Sequence, residues 1–327
     1  EDGTAATAGP GPKMSGPPYA PAAHRGSGKW GEQKLLLFGG IAYDLIYDSG
    51  ALEEIGCEER FDAKGLIEQE LFRKGVQFLL DHQIGFGNFD GYLTSAMLLA
   101  ARNSGDPLLV HRSVEVLDLL LTNSFVRDGL WFEACGYHGQ TCNLRYGVEA
   151  LRGYSDPPGY QPQGQRRFDN LDPCRMWPAL RSIYRATLPL CYPDRDCLYV
   201  NDTSTGEFWD ASLFRVAAAR YGDRELNQVA GNDLFLGPGD TKDPAAILPE
   251  LSRSWLLPGA GFAVLRGGQR DEKGTTSQSV ALLSFGDAAT SHDHSDGLNL
   301  GLFGQGRELA ADLGYTHTYL RFSWPAT

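Results

Sequence analysis

The sequence has no apolar run approaching the roughly 18 consecutive residues that a helix needs to cross a bilayer. Stretches such as residues 35–38 and 97–101 stop far short of that. Positive charge is scarce: 29 Lys and Arg against 41 Asp and Glu leave a formal charge of −12. A nucleic-acid binder meets phosphates with a basic face, so that class is not expected, and neither is a membrane partner. Cysteine is sparse and unpatterned. Cys57, Cys135, Cys142, Cys174, Cys191 and Cys197 form no CxxC pair and are too few to make a disulfide scaffold of a chain this long. The segment "CYPDRDC", residues 191–197, either closes a small loop in an exported protein or carries free thiols. The N-terminal residues lack the basic start, apolar core and small-residue cleavage site of a signal peptide. There is no initiator Met, as in a mature form or a fragment, and "RFSWPAT" stops soon after a strand-like stretch, so further sequence is expected at both ends.

What the chain does have is apolar matter at regular spacing. At 42% hydrophobic and 21% charged over 327 residues, it can fill a large core or two packed domains. Residues 1–29 are rich in Gly, Pro and Ala and read as an irregular arm. From Trp30 to about Tyr221, apolar residues recur at helical spacing in "LFRKGVQFLL", "YLTSAMLLAA", "VEVLDLLL" and "ASLFRVAAARY". Short polar clusters such as "RNSGDP" separate these runs, which suits antiparallel helix pairs. After "GPGDTKDPAAILPE" the period drops from 3.6 to 2. The runs "GFAVLRGG", "SQSVALLSFG", "LNLGLFGQG" and "RELAADLG" alternate between glycine punctuation marks, as antiparallel strands do. The expected organisation is an arm at 1–29, a helical domain at 30–250 and a β domain at 251–327.

Three segments carry candidate chemistry. In "SHDHSDGLNLGLFGQGRELAADLGY", residues 291–315, His292 and His294 share one face of an extended chain. A strand, a turn at 304–306 and a returning strand bring Asp312 beside His294. Imidazole and carboxylate from neighbouring strands suit a zinc-type ion, although a structural site takes four protein groups; a polar hairpin with satisfied histidines is the plain alternative. In "DGLWFEACGYHGQTCN", residues 128–143, Tyr137 and His138 offer a general base and acid, with arginines nearby in sequence to depress the phenol. An aromatic run there also suits core packing. In "QIGFGNFDGYLTSAMLLAARNSGDP", Asn88 opens a helical stretch and reads by default as its N-cap. Finally, residues 145–185 hold seven arginines against four carboxylates, a local place for an anionic partner or a scatter of solvated side chains.

Taken in order and spacing, an Asn heading one helix, "DGxWFExxxYH" about fifty residues later and then "HxHxDxLxLxLFGxGRxLxxDxGY" resemble the heparinase II/III-like polysaccharide lyases, which include heparin and alginate lyases. "SWLLPGAGFAVLR" also looks like that family's entry into its β domain. The resemblance covers roughly Trp30 onward. It implies an incomplete (α/α) toroid followed by an antiparallel β-sandwich, truncated here, with the active site in the cleft between them. It further implies an anionic polysaccharide substrate of glycosaminoglycan or alginate type, and secretion or a periplasmic location from that substrate class. Asn88 is similar to the family's uronate-carboxylate binder, Tyr137 to its catalytic tyrosine and His292 to the histidine from the sandwich, with His138 as a second acid or base. Trp131, Glu133 and Arg145 are expected to touch substrate. His294 and Asp312 match two of three protein ligands of a structural divalent metal, usually zinc; the third would fall beyond Thr327. No organic cofactor is implied.

Two other functions fit the same residues. A helical toroid also hosts glycoside hydrolases with paired carboxylates, for which Asp90 and Glu133 are the available pair. A non-catalytic relative that holds anionic sugar without cleaving it is the other.

Overall fold

The computed structural model describes residues 28–81, 87–133, 135–193, 201, 211–228, 230, 233, 235–237, 251–268, 277–286 and 298–310. The chain forms two compact units: residues 1–120 with 143–176, and residues 121–142 with 177–327.

The first unit is built on helix α5, Asp90–Asn103, in which every residue from 93 to 101 is buried. A helix apolar on all sides has to be surrounded. Helix α1, Gly28–Ile46, packs on it at Gly40, whose carbonyl accepts from Asn103 Nδ2 at 2.9 Å and which faces Leu99, and helix α8, Arg145–Leu151, packs on it as well. The α5–α8 approach is close because both helices present small residues. Gly147 donates its backbone N–H to Ser95 Oγ at 2.8 Å, and the Ser95 hydroxyl donates to the Asn143 carbonyl at 2.7 Å. A Cβ on Gly147 would stand 2.7 Å from Ser95 Cα. Helices α2 (Ala51–Glu59), α3 (Ala63–Leu66), α4 (Lys74–Asp81) and α6 (Pro107–Asn123) complete this part. Between α3 and α4 the hydrogen bonding widens to a π-helix over Ile67–Arg73, so "LFRKGVQFLL" is not one regular α-helix.

One region departs from the helical expectation. After α8 the chain runs back on itself as a ribbon, with Gly153 bonded to Leu171, Leu171 to Tyr154 and Asp156 to Phe168 through the backbone. Helix α9, Pro173–Met176, follows it. The ribbon is pinned by buried His111 of α6. Its Nε2 lies 3.0 Å from both Asp156 oxygens, and its ring stacks on Phe168 at 4.2 Å. No period in the sequence announces this contact, because His111 and Asp156 meet across 45 residues.

The second unit carries the strands. β1 (Trp255–Leu257), β2 (Phe262–Gly267), β3 (Ser279–Ser284), β4 (Leu300–Gly304) and β5 (Arg307–Ala310) form an antiparallel meander in chain order. The β4–β5 turn is closed by Gln305 and Gly306, both at positive φ (54° and 74°), the geometry a two-residue hairpin favours. Inward-facing Phe262, Val264, Val280, Leu282 and Phe303 pack with Leu130, Ala186, Leu190 and Tyr192. Arg266 continues that inner face and donates to the carbonyls of Pro189 and Cys191, tying the segment after helix α10 (Ala179–Arg185) to the sheet. Burial pushes its guanidinium down to about 10, so it stays charged at neutral pH. Helix α11, Ala211–Tyr221, packs on α10. Thus helices give way to strands between residues 228 and 255, where the hydrophobic period changes.

Asp223, 3% exposed, lies 2.7 Å from Arg185 and also pairs with Arg181. Burial alone would raise its carboxyl; the two guanidiniums outweigh that and hold it below the ordinary carboxylate range. A group depressed in the fold stabilises fully above its unfolded value, near pH 4, and loses that contribution as pH falls through the folded value. Asp223→Asn should therefore flatten the acid limb of a stability-against-pH curve below about pH 4, read by urea denaturation. Gly147→Ala supplies a second check. Helix propensity alone favours alanine by about 1 kcal/mol, whereas the steric approach to Ser95 predicts a net loss of roughly 1–3 kcal/mol in the same measurement.

Candidate functional site

The "DGLWFE" segment folds as a tight hairpin in which Val126 and Leu130 pair, and Phe125 bridges Trp131. Each residue has a structural task. Asp128 Oδ2 accepts from the amides of Gly259 (2.7 Å) and Ala260 (3.1 Å), joining this hairpin to the turn that follows β1. Gly129 sits at φ 85°, and a Cβ there would stand 2.7 Å from the Ser182 backbone of α10, so only glycine fits. Leu130 enters the sheet core. The Trp131 indole donates to Glu133 Oε2 at 2.9 Å, and its ring meets Phe125 edge-on at 5.5 Å.

Helix α7, Cys135–Thr141, carries Tyr137 and His138. His138 is fully buried. Its Nδ1 accepts the Trp131 backbone N–H at 3.0 Å and its Nε2 faces the Ile183 carbonyl at 2.9 Å. A carbonyl only accepts and a backbone amide only donates, so the ring is the neutral tautomer with its proton on Nε2. Successive helical residues point about 100° apart, so anchoring His138 inward turns the neighbouring Tyr137 outward, where it is half-buried.

These positions revise several expectations. His138 as a second acid or base is corrected: it has no solvent access, and its ring nitrogens are committed to backbone groups. Trp131, 1% exposed, is a core residue and not a sugar-stacking surface. Glu133 is 5% exposed and engaged by the indole, so it orients Trp131 and does not present a carboxylate to substrate. Arg145 is buried as well. Its fork donates to Asn143 Oδ1 (2.8 Å) and the Tyr146 hydroxyl (2.9 Å). Asn88 is a buried turn residue, but it is not the helix cap: Phe89 takes that position without a side-chain bond, and Asp90 accepts from the Gly87 amide.

Asn88 belongs to the first unit and Tyr137 to the second. His292, His294 and Asp312 lie outside the described residues. Among the described residues, no three His, Cys, Asp or Glu side chains are grouped to hold a metal ion.

Sequence reasoning passed over Asp128 and Gly129 as anchors, although an Asp-Gly pair is a turn signal. It also passed over a groove in the second unit walled by Arg181, Arg185, Arg253 and Trp255, whose residues are scattered over some 75 positions.

Comparison with solved structures places this architecture. A crystal structure of heparinase III superposes with a TM-score of 0.54 at 18% identity over 74% of this chain. The chain has the fold of heparinase III. A second heparinase III structure matches with a TM-score of 0.57 at 14% identity over 88% of the chain. Heparan sulfate lyase HepC from Pedobacter heparinus gives 0.53 at 15% identity over 88%. The chain spans about two fifths of the length of these heparinase III-like proteins, between 37% and 40%. No protein-family model and no curated protein sequence matches it.

His138→Leu removes the acceptor of one buried amide and the donor to one buried carbonyl, at a cost of about 1–3 kcal/mol for each orphaned group. The expected outcome is a lowered melting temperature in thermal denaturation with near-native far-ultraviolet dichroism. A variant as stable as wild type would remove His138 from its anchoring role.

Proposed function

We propose that the chain is the helical and first β part of a lyase that cleaves a uronic-acid-containing polysaccharide by β-elimination. The observation that carries this reading is a half-buried Tyr137, turned outward on a helix locked by a buried neighbour, within a heparinase III fold. The heparinase III and heparan sulfate lyase names of its structural neighbours support a glycosaminoglycan substrate, with alginate as the other uronate class. Secretion or a periplasmic location follows from such a substrate.

The proton at C5 of a uronate is weakly acidic, since removing it adds a second charge beside the carboxylate. Asn88, and His292 from the β part, would donate to that carboxylate and favour the enolate-like state over the ground state. Tyr137 as phenolate would take the C5 proton. It would then return a proton to the glycosidic oxygen as the C4–O bond breaks and the C4=C5 double bond forms. With His138 enclosed in the core, one residue serving both steps is the simpler scheme, which suits proton and leaving group on the same side of the ring. A zinc-type ion held by His294 and Asp312 belongs to this reading as a structural element only, and no step runs through it.

The hydrolytic alternative loses ground on geometry. Asp90 and Glu133, its candidate carboxylates, are 5% exposed and held by Gly87 and Trp131. The finer architecture, a toroid followed by a sandwich, is part of the proposal. It is supported by the outer sheet face, where Leu256, Ala263, Leu283 and Leu300 align in one row and Leu265, Ala281 and Leu302 in the next. A sheet apolar on both faces is built to be one layer of several.

Elimination produces an unsaturated uronate that absorbs in the ultraviolet, and hydrolysis does not. With heparan sulfate or alginate, the full chain should generate that absorbance. Tyr137→Phe should lower turnover by roughly 10²–10⁴-fold with substrate affinity nearly unchanged, and Asn88→Ala should lower kcat by about 10²–10³-fold. Wild-type turnover in Tyr137→Phe would exclude the proposed base.

A further inference from the structure

The groove in the second unit, about 480 Å³, is walled by α10 on one side and by the approach to β1 on the other. Arg181 and Arg185 lie four apart on α10 and so share a helix face. Two like charges at that spacing repel each other; buried Asp223 offsets this by bonding both. Arg181 donates its Nε to Asp223 at 3.3 Å, and Arg185 also reaches Glu225 at 3.1 Å. Neither acid lines the groove, whereas both arginines do. A third, exposed guanidinium belongs to Arg253, held 3.9 Å over the Trp255 ring. Among the described residues the one carboxylate in the lining is Asp128, and one of its oxygens already accepts two backbone amides.

The surface thus offers three planar forks, two oriented by a buried acid, beside an indole in a concavity of ligand size. Arginine forks match the paired oxygens of carboxylate and sulfate-like groups, and an aromatic face under a guanidinium holds its fork in place. Tyr137 does not line this groove, so it is distinct from the candidate catalytic residue. We propose that it is a secondary binding site for an anionic saccharide, with a carboxylate- or sulfate-bearing sugar unit held by Arg181, Arg185 and Arg253, the last of these seated on Trp255. The choice of a sugar rests on the lyase reading; the anion site rests on the groove alone.

The test is isothermal titration of the full chain with a heparan sulfate oligosaccharide, an unsulfated alginate oligosaccharide and sodium sulfate. Arg253→Gln should weaken binding of at least one oligosaccharide about tenfold, and Arg181→Gln should act in the same direction. Arg307→Gln, an exposed charge on β5 outside the groove, should change it by less than about twofold. Equal losses from Arg253→Gln and Arg307→Gln would show diffuse electrostatics and overturn the site, as would no loss from either groove variant. Sodium sulfate binding as tightly as the oligosaccharides would replace the sugar with a free anion and overturn the proposal. Ultraviolet product is followed in parallel. Product without Arg253-dependent binding removes this site and leaves the lyase; Arg253-dependent binding without product removes the lyase and leaves the site.

Discussion

One imidazole, withdrawn completely from water, holds the candidate catalytic segment together. His138 joins the hairpin at Trp131 to the end of α10 at Ile183, using one nitrogen as acceptor and the other as donor. In an apolar setting each bond is expensive to leave unmade, so hairpin, α7 and α10 are fixed as one body. The direction of Tyr137 follows from this. A helix that turns about 100° per residue cannot bury His138 in this manner without lifting its neighbour toward the surface.

The remainder of the hairpin shows how a single motif serves anchoring before it serves chemistry. Asp128 is bonded to the turn after β1, Gly129 allows the α10 backbone to pass, and Leu130 joins the sheet core. Residues that appear available for substrate when read along the chain, Trp131 and Glu133, satisfy each other in the interior. The same economy appears in the first unit, where Ser95 and Gly147 permit two helix backbones to approach and the serine hydroxyl serves both an amide and a carbonyl.

Electrostatics follow partners and not sequence windows. The arginine-rich stretch 145–185 suggests a single anionic binding face, yet it straddles both units. Arg152 pairs with Asp172 and Glu149, Arg145 stacks on Tyr146, and Arg167 bonds carbonyls of the ribbon. Arg181 and Arg185 meet Asp223 and Glu225, acids that lie outside the stretch. The stretch is therefore not one continuous face, and the groove beside Trp255 draws only part of its charge from it.

Local patterns set a good deal of this protein unaided. Periodicity alone located α5, α6 and α11 and the change to strands, and glycine punctuation located the turn between β4 and β5. These features depend on neighbours within a few residues, which a linear string records. Periodicity did not reveal the π-helix at Ile67–Arg73, the ribbon fastened by His111, or which of two adjacent residues, Tyr137 and His138, would face inward. Those outcomes were decided by partners tens of residues away: Asp156 for His111 and Ile183 for His138. Whether a polar side chain is a reagent or a fastener depends on what surrounds it once water has been excluded, and only the folded chain supplies those surroundings.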